Sequence, residues 1–163
     1  MNIIGAKKRQ AFHTQLKLLL IDDPITVASI EFYARNGASM YPIDLTNLAV
    51  IKLESYNNGD LVEKDNVDVD IYTYVKYGNQ WTWKNVIPEG FRFLLRNLNG
   101  CAIAHNCPLT KGELQLALAL DLSKYSFLFR FIDKNAAHQF VIKMHDAKND
   151  EQICCQTVQL RIV

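Results

Sequence analysis

Two cysteines close together in the chain are the residues best suited to chemistry. Cys101 and Cys107 bracket the five residues Ala102–Asn106, a loop that a disulfide could close if the two Cα atoms lie within roughly 4.4–6.8 Å. The C-x5-C spacing matches none of the common zinc-site patterns. A cysteine–histidine nucleophile could be drawn from the same loop with His105, but we expect the crowded turn to favour a disulfide. Such a bond would imply an oxidising compartment.

The other two cysteines, Cys154 and Cys155, are adjacent. Successive side chains of an extended strand point to opposite faces, so we expect no bond between them. One of them would be buried as a small apolar residue. The other would remain a thiol or bond a distant partner.

The remaining reactive side chains show no arrangement typical of catalysis. No serine lies in a G-x-S-x-G context, and no glycine-rich phosphate loop occurs. Asp68 and Asp70 are interpreted as solvated carboxylates on an exposed strand face. The histidines lack metal-ligand spacing and are expected at the surface or at strand edges: His13, His105, His138 and His145. The sequence therefore predicts no enzyme, no metal site and no cofactor.

The composition is that of one globular domain. The chain has 163 residues, of which 49% are apolar and 21% charged, and its net charge is +1. This composition excludes membrane-spanning, fibrous and disordered classes. The near-zero charge argues against a nucleic-acid partner.

The charge is concentrated at the start of the chain. Residues 1–20 carry four basic residues and no acid, so this segment is +4 and the remainder is −3. Lys17 interrupts the apolar run, and Asp22-Asp23-Pro24 ends it, which does not fit a signal peptide. We interpret residues 1–36 as a leader, containing at most a short helix, and residues 37–163 as the domain.

From about Asp44 onward apolar residues recur at every second position. Val67, Val69 and Ile71 alternate with polar residues, and Leu114, Leu116 and Leu118 do the same. Strict alternation indicates strands with one buried face, as in antiparallel sheets. With turn residues between the strands, the pattern predicts an all-β sandwich or barrel.

Aromatic residues exceed what the pairing of two sheets requires. Trp81 and Trp83 alternate, as do Phe91 and Phe93, and a further set shares one face of a predicted extended segment: Tyr125, Phe127, Phe129 and Phe131. Periodicity favours a solid core, and a cavity for an apolar ligand is the alternative.

The run Asn99–Glu113, N-G-C-A-I-A-H-N-C-P-L-T-K-G-E, resembles the signature of the ML lipid-recognition family. That family shows a small cysteine loop, then C-P-[apolar]-x-[basic]-G, then an alternating strand, here Glu113–Leu122. Gln139–Met144, Asp146–Glu151, Cys155 and residues 158–162 look like the family's later strands in order and spacing. The resemblance covers roughly residues 40–163. Within it, residues 40–46 look most like invertebrate ganglioside-activator-like members, which are related to the Niemann–Pick type C sterol carrier and mite group 2 allergens.

The resemblance implies an immunoglobulin-like antiparallel β-sandwich whose sheets splay apart to hold a lipid tail. It implies non-enzymatic binding and transfer of a glycolipid, phospholipid or sterol in a secreted or lysosomal protein. Transient membrane contact and a partner hydrolase or receptor would follow. The alternative is an extracellular sandwich with a solid core that binds proteins.

The resemblance also implies that apolar residues of the predicted strands line the lipid cavity. These candidates are Val69, Ile71, Trp81, Trp83, Phe91, Phe93, Leu116, Leu118, Phe127, Phe129, Phe140 and Ile142. Candidates for headgroup contacts are Lys76, Lys84, Arg92 and Arg96. One departure from the family is clear. The early cysteine that would pair with the one in the last strand is missing from Tyr33–Gly37, which leaves Cys155 without that partner.

Overall fold

The computed structural model describes residues 15–17, 23–104, 106–119 and 122–163, and it is mostly β. The strands are β1 (Gln15–Lys17), β2 (Ile25–Ala34), β3 (Leu48–Asn57), β4 (Asp65–Tyr77), β5 (Gln80–Asn85), β6 (Leu98–Asn99), β7 (Gly112–Ala119), β8 (Ala137–Asp146) and β9 (Gln152–Arg161). The helical segments are the 3-10 helices η1 (Glu89–Leu95) and η2 (Leu122–Phe131) and the short α1 (Gly100–Ala104). None of the helices among these residues is long and apolar enough to cross a membrane.

The strands form two antiparallel sheets packed against each other, which confirms the all-β sandwich. The large sheet has the order β1-β9-β8-β4-β5, with β6 also paired to β4, and the small sheet has the order β2-β3-β7. β2 contacts β9, while α1 contacts both β4 and β7. The small sheet therefore covers the β9 side of the large sheet, and α1 joins the two sheets at the opposite side.

Alternation along the strands selects the inward faces. Val69 lies opposite Ile142 and Ile71 opposite Phe140 in the β4–β8 register, and Leu53 lies opposite Leu116 in the β3–β7 register. Pairing partners share a face, so these residues all point between the sheets. The predicted apolar faces of 67–71 and 114–118 are the inward faces.

Three apolar clusters fill the described interior. Cluster 1 lies at the disulfide end and contains Ile25, Val27, Val62, Leu109, Leu114, Leu116, Ile153 and Cys154. Cluster 2 lies at the opposite end and contains Phe32, Ile43, Leu48, Ile132, Val158, Leu160 and Ile162. Cluster 3 lies under the 3-10 helices and contains Ile71, Ile87, Leu95 and Leu128. Burial of a side chain of this kind contributes about 1.5–3 kcal/mol.

The sandwich begins earlier in the chain than residue 37. β2 lies within the segment interpreted as a leader, and its residues Ile25 and Val27 are buried in cluster 1. Three residues of the basic segment form β1, which pairs with β9. The rest of the predicted short helix lies outside the described residues. The charge pattern was a poor guide to the boundary, because β2 carries one acid and no base, so its charge does not set it apart from the strands that follow.

Two aromatic segments are 3-10 helices and not strands. Phe91 and Phe93 lie in η1, which follows Pro88. The segment predicted as extended, Tyr125–Phe131, lies in η2. A spacing of two does not keep side chains on one side of a helix of three residues per turn, so Phe127 packs on cluster 3 and Phe129 on cluster 2.

Candidate functional site

The inward face of the large sheet extends beyond the small sheet. The large sheet is five strands wide and the small sheet three, so about 10 Å of inward face lies outside the small sheet's width at about 4.8 Å per strand. η1 and η2 cover the part of this face on the β4 side, because Leu95 and Leu128 pack there on Ile71, whereas β1 extends the large sheet at its other edge. We call the space between the overhang and the two 3-10 helices the interior trough.

Inward-facing residues along the trough are incompletely buried. Val69, Phe140 and Ile142 lie on the two central strands β4 and β8, yet each is only half-buried, and so is Leu118 on β7. Neither Ile142 nor Leu118 is among the members of the three described clusters. Inward positions of central strands in a closed sandwich are normally filled to organic-crystal density. These four apolar side chains are therefore incompletely covered.

Four of the twelve predicted cavity residues meet here. Val69, Ile71, Phe127 and Phe140 come together in and around cluster 3. Ile142 and Leu118 face the same interior. Leu116 is buried in cluster 1, and Phe129 packs against cluster 2.

Phe91 and Phe93 form the rim of the trough. The Phe91 ring is 5.7 Å from that of Phe127 and 6.2 Å from that of Phe131. Phe91 is 40% exposed and Phe93 68% exposed. Both residues, placed by the sequence inside the cavity, thus lie at its outer boundary.

Trp81 and Trp83 do not line the interior. They lie opposite Lys76 and Tyr74 in the β4–β5 register, which places them on the outer face of the large sheet. The Tyr74 ring lies between them, 5.2 Å from Trp81 and 5.0 Å from Trp83, and Trp81 is 59% exposed. Both assignments to the cavity were wrong, because the overhanging hairpin turns its aromatic face away from the small sheet.

The basic side chains predicted to contact a lipid headgroup lie in different environments. Arg96 is held in place: its guanidinium donates to the Val69 carbonyl at 2.7 Å and pairs with the Asp70 carboxylate. Arg92 donates from Nε to the Ile87 carbonyl at 3.2 Å while its side chain reaches solvent. Lys76 and Lys84 are exposed on the β4–β5 hairpin.

Asp68 and Asp70 anchor the cover of the trough and are not merely solvated. Asp70 accepts from Arg96 and from Asn85 Nδ2 at 3.1 Å, and Asp68 accepts from the Asn97 backbone N–H at 2.7 Å. These contacts tie Asn85, four residues before η1, and the two residues after η1 to β4. The carboxylates looked solvated in the sequence because their partners lie 15 to 29 residues away.

His138 is a buried structural residue, contrary to the surface position expected for it. It is 0% exposed, with Nε2 2.7 Å from the Asp133 carbonyl and Nδ1 2.9 Å from the Thr73 hydroxyl. A carbonyl only accepts, so Nε2 donates to it and the Thr73 hydroxyl donates to Nδ1. His145 is partly exposed near Asp150. His13 and His105 lie outside the described residues.

The Cys101–Cys107 disulfide is present, with the two Cα atoms 5.3 Å apart. A disulfide is typical of an oxidising environment. Cys154 and Cys155 are not bonded to each other. Burial raises the pKa of the Cys154 thiol to about 12, which makes it a poor nucleophile.

The carboxyl group of Asp65 lies against this disulfide and is almost fully buried. Burial raises its pKa above the ordinary 3.8, because a low-dielectric surrounding disfavours the charged form. Together with the two sulfurs it is the one group of potential metal ligands found among the described residues. The sulfurs are bonded to each other and offer no thiolate in this state.

Stability should therefore depend on the ionisation of Asp65. Its folded-state pKa is raised, so the folded protein binds more protons than the unfolded chain just above pH 3.8. Stability then falls as the pH rises through that window and stays lower above the raised pKa. We expect Asp65→Asn to remove this loss, so that the variant gains stability relative to the parent between pH 3 and pH 7. Urea unfolding at several pH values measures it, with exposed Asp60→Asn as the control.

An open groove of about 510 Å³ runs along the free edge of β7. It touches the consecutive residues Glu113–Ala117 on one side and Ala104, Asn106, Pro108 and Thr110 on the other. Within the described part of the chain, the buried Asn106 Oδ1 has no hydrogen-bond partner, and neither does the Ser55 hydroxyl one strand inward. The sequence analysis did not find this groove, because it depends on β7 being an edge strand.

The space between the sheets is thus an apolar interior with an aromatic rim and an open strand edge, and none of its described residues forms a nucleophile–base pair. Comparisons with known proteins add no relative: no family model matches the chain, and no curated protein matches it.

Proposed function

We propose that the protein is a non-enzymatic carrier that binds an apolar ligand, the tail of a lipid, between its two sheets. The observation that carries the proposal is the incompletely covered apolar face of the large sheet, where Val69, Phe140 and Ile142 face inward yet remain half-buried. Each methylene transferred from water to such a space contributes about 0.8 kcal/mol. The resemblance of residues 99–122 to the ML lipid-recognition family supports the same function.

Entry would require movement of η1 and η2, which cover the trough without belonging to either sheet. η1 is fastened to β4 by Arg96 and Asp70, so the hinge would lie at these contacts. The exposed rim residues Phe91 and Phe93 would meet the ligand first.

The β4–β5 hairpin supports transient contact with a membrane surface. Residues 72–85 contain five aromatic residues and two lysines but no acid, and Trp81 and Tyr74 are exposed on one face. Trp and Tyr favour the membrane interface, and lysines favour anionic lipids. A secreted or lysosomal location belongs to this proposal, as do a glycolipid, phospholipid or sterol ligand and a partner hydrolase or receptor.

The second candidate is a protein-interaction module. The flat group of Tyr74, Trp81 and Trp83 on the outer face favours it, because exposed aromatic residues are enriched at protein interfaces. Native mass spectrometry distinguishes the two functions. A carrier should retain a lipid of definite mass or take up a fluorescent fatty acid, sterol or glycolipid after delipidation, whereas a module with a solid core should show only the bare chain.

Filling the trough should weaken lipid binding. Ile142→Trp places a large ring in the half-buried interior, and we expect it to weaken binding of the fluorescent lipid at least about tenfold, or 1.4 kcal/mol. Val141→Trp is the matched control, since the adjacent residue is equally half-buried but lies on the outer face opposite Asp70. Equal affinity of both variants, each with parental circular dichroism, would rule out binding between the sheets.

A further inference from the structure

The Asp65 carboxylate contacts both sulfurs of the disulfide. Its Oδ1 lies 3.4 Å from Cys101 Sγ and 3.3 Å from Cys107 Sγ. Disulfide sulfurs carry no hydrogen, so neither contact supplies a donor to the carboxylate. A Cβ at Gly100 would overlap this carboxyl group, so the absence of a side chain there allows the approach.

No cation offsets the charge of Asp65 among the described ion pairs, which join Arg96 to Asp70 and His145 to Asp150. Directly opposite on β8 lies Asp146, which accepts the backbone N–H of Lys148. Next to it, His145 lies opposite Asn66. Exposed Glu63 and Lys64 precede Asp65 in the chain, and α1 (Gly100–Ala104) carries no charged side chain. Asp65 is only 3% exposed and has no cation beside it, so burial of its ionised carboxylate costs free energy of folding.

The position of this group matters for thiol–disulfide exchange. A thiolate attacks one sulfur, a new sulfur–sulfur bond forms, and the other sulfur leaves with the electron pair of the broken bond. An ionised Asp65 would repel both the attacking and the leaving anion across about 3.3 Å. A protonated Asp65 would instead transfer its proton to the leaving sulfur, giving a mixed disulfide, a free thiol and the Asp65 carboxylate.

We propose that Cys101–Cys107 is a thiol-exchange site controlled by Asp65, closed to thiolates when the carboxylate is ionised and open when it is protonated. The co-reactant is a low-molecular-weight thiol. Both cysteines are only half-buried, which the approach of such a molecule requires. This inference does not depend on the proposed lipid carrier.

The charge of the attacking thiol provides the test. The intact protein is treated at pH 7 with cationic cysteamine, neutral mercaptoethanol or anionic mercaptoethanesulfonate, and reduction is followed by alkylation and intact mass. After correction for the thiolate fraction, we expect cysteamine to react about tenfold faster than mercaptoethanesulfonate with the parent protein. Asp65→Asn should remove most of this preference and speed the reaction with every thiol. Asp146→Asn should leave the preference intact.

The charge preference separates an electrostatic role from a structural one, because simple loosening of the fold would speed all three thiols equally. Should Asp65→Asn fail to fold, the parent protein still decides the question through its pH profile. Its thiolate-corrected rate should fall as the pH rises through the ionisation of Asp65 and level off above it. An equal preference in parent and variant, or a corrected rate that does not change with pH, would overturn the proposal.

Discussion

Replacement of His138 by leucine is expected to lower the free energy of unfolding by about 2–4 kcal/mol, because one buried polar group loses its partner at about 1–3 kcal/mol and one part-buried group at about 1 kcal/mol. The groups are the Asp133 carbonyl and the Thr73 hydroxyl. His138 joins the start of β8 to the turn after η2, so the loss should also loosen the cover of the trough. Urea unfolding measures the first effect, and hydrogen exchange over residues 125–132 measures the second.

Two variants sharpen this prediction. Thr73→Val removes only the hydrogen bond to His138 Nδ1 and should lower the free energy of unfolding by about 1–3 kcal/mol. His145→Leu replaces a partly exposed histidine on the same strand and should be close to neutral. A cost for His138→Leu no greater than that for His145→Leu would show that the buried network does not stabilise the fold.

Gly100→Ala is expected to destabilise the protein by about 3 kcal/mol, at the upper end of what overpacking of an interior costs. The added Cβ would overlap the Asp65 carboxyl group, which is confined between α1 and the disulfide. The backbone of Gly100 is not left-handed, so steric overlap and not backbone conformation is the cause. Thermal unfolding and the fraction of free thiol after oxidative refolding measure the effect.

Removal of the obstructing side chain should reverse the loss. In the double variant Gly100→Ala/Asp65→Ala the added Cβ has space. The loss of free energy of unfolding should therefore be clearly smaller than the sum of the losses in the two single variants. Gly90→Ala is the control, since nothing lies within 4 Å of a Cβ there. A loss for Gly100→Ala that matches the Gly90→Ala result would contradict the crowding seen at α1.

Much of the fold could be predicted because period-two alternation is a local property. The inward faces of β4 and β7 follow from the residues around Val69 and Leu116 alone, since successive strand side chains must point to opposite faces. The Cys101–Cys107 bond also follows from short separation in the chain. The same reasoning placed Ile71, Phe127 and Phe140 in the interior, where they meet in cluster 3.

Other features depended on contacts between distant segments. Trp81 and Trp83 alternate as regularly as the leucines of β7, but their pairing opposite Lys76 and Tyr74 places their side chains on the outer face. The charge pattern does not indicate that β2 is part of the sandwich, yet β2 pairs with β3 along its whole length.

The sequence by itself determined the alternating strands β4, β7, β8 and β9, the apolar faces of β4 and β7 and the disulfide loop, because these depend on neighbours within a few residues. Only the tertiary structure decided which polar residues are structural. Asp65 meets a disulfide 36 residues away, Asp70 meets Arg96, and His138 meets Thr73 across 65 residues. It also decided which inward-facing residues remain half-buried, because this depends on how the two sheets and the 3-10 helices cover one another, which no single segment of the chain encodes.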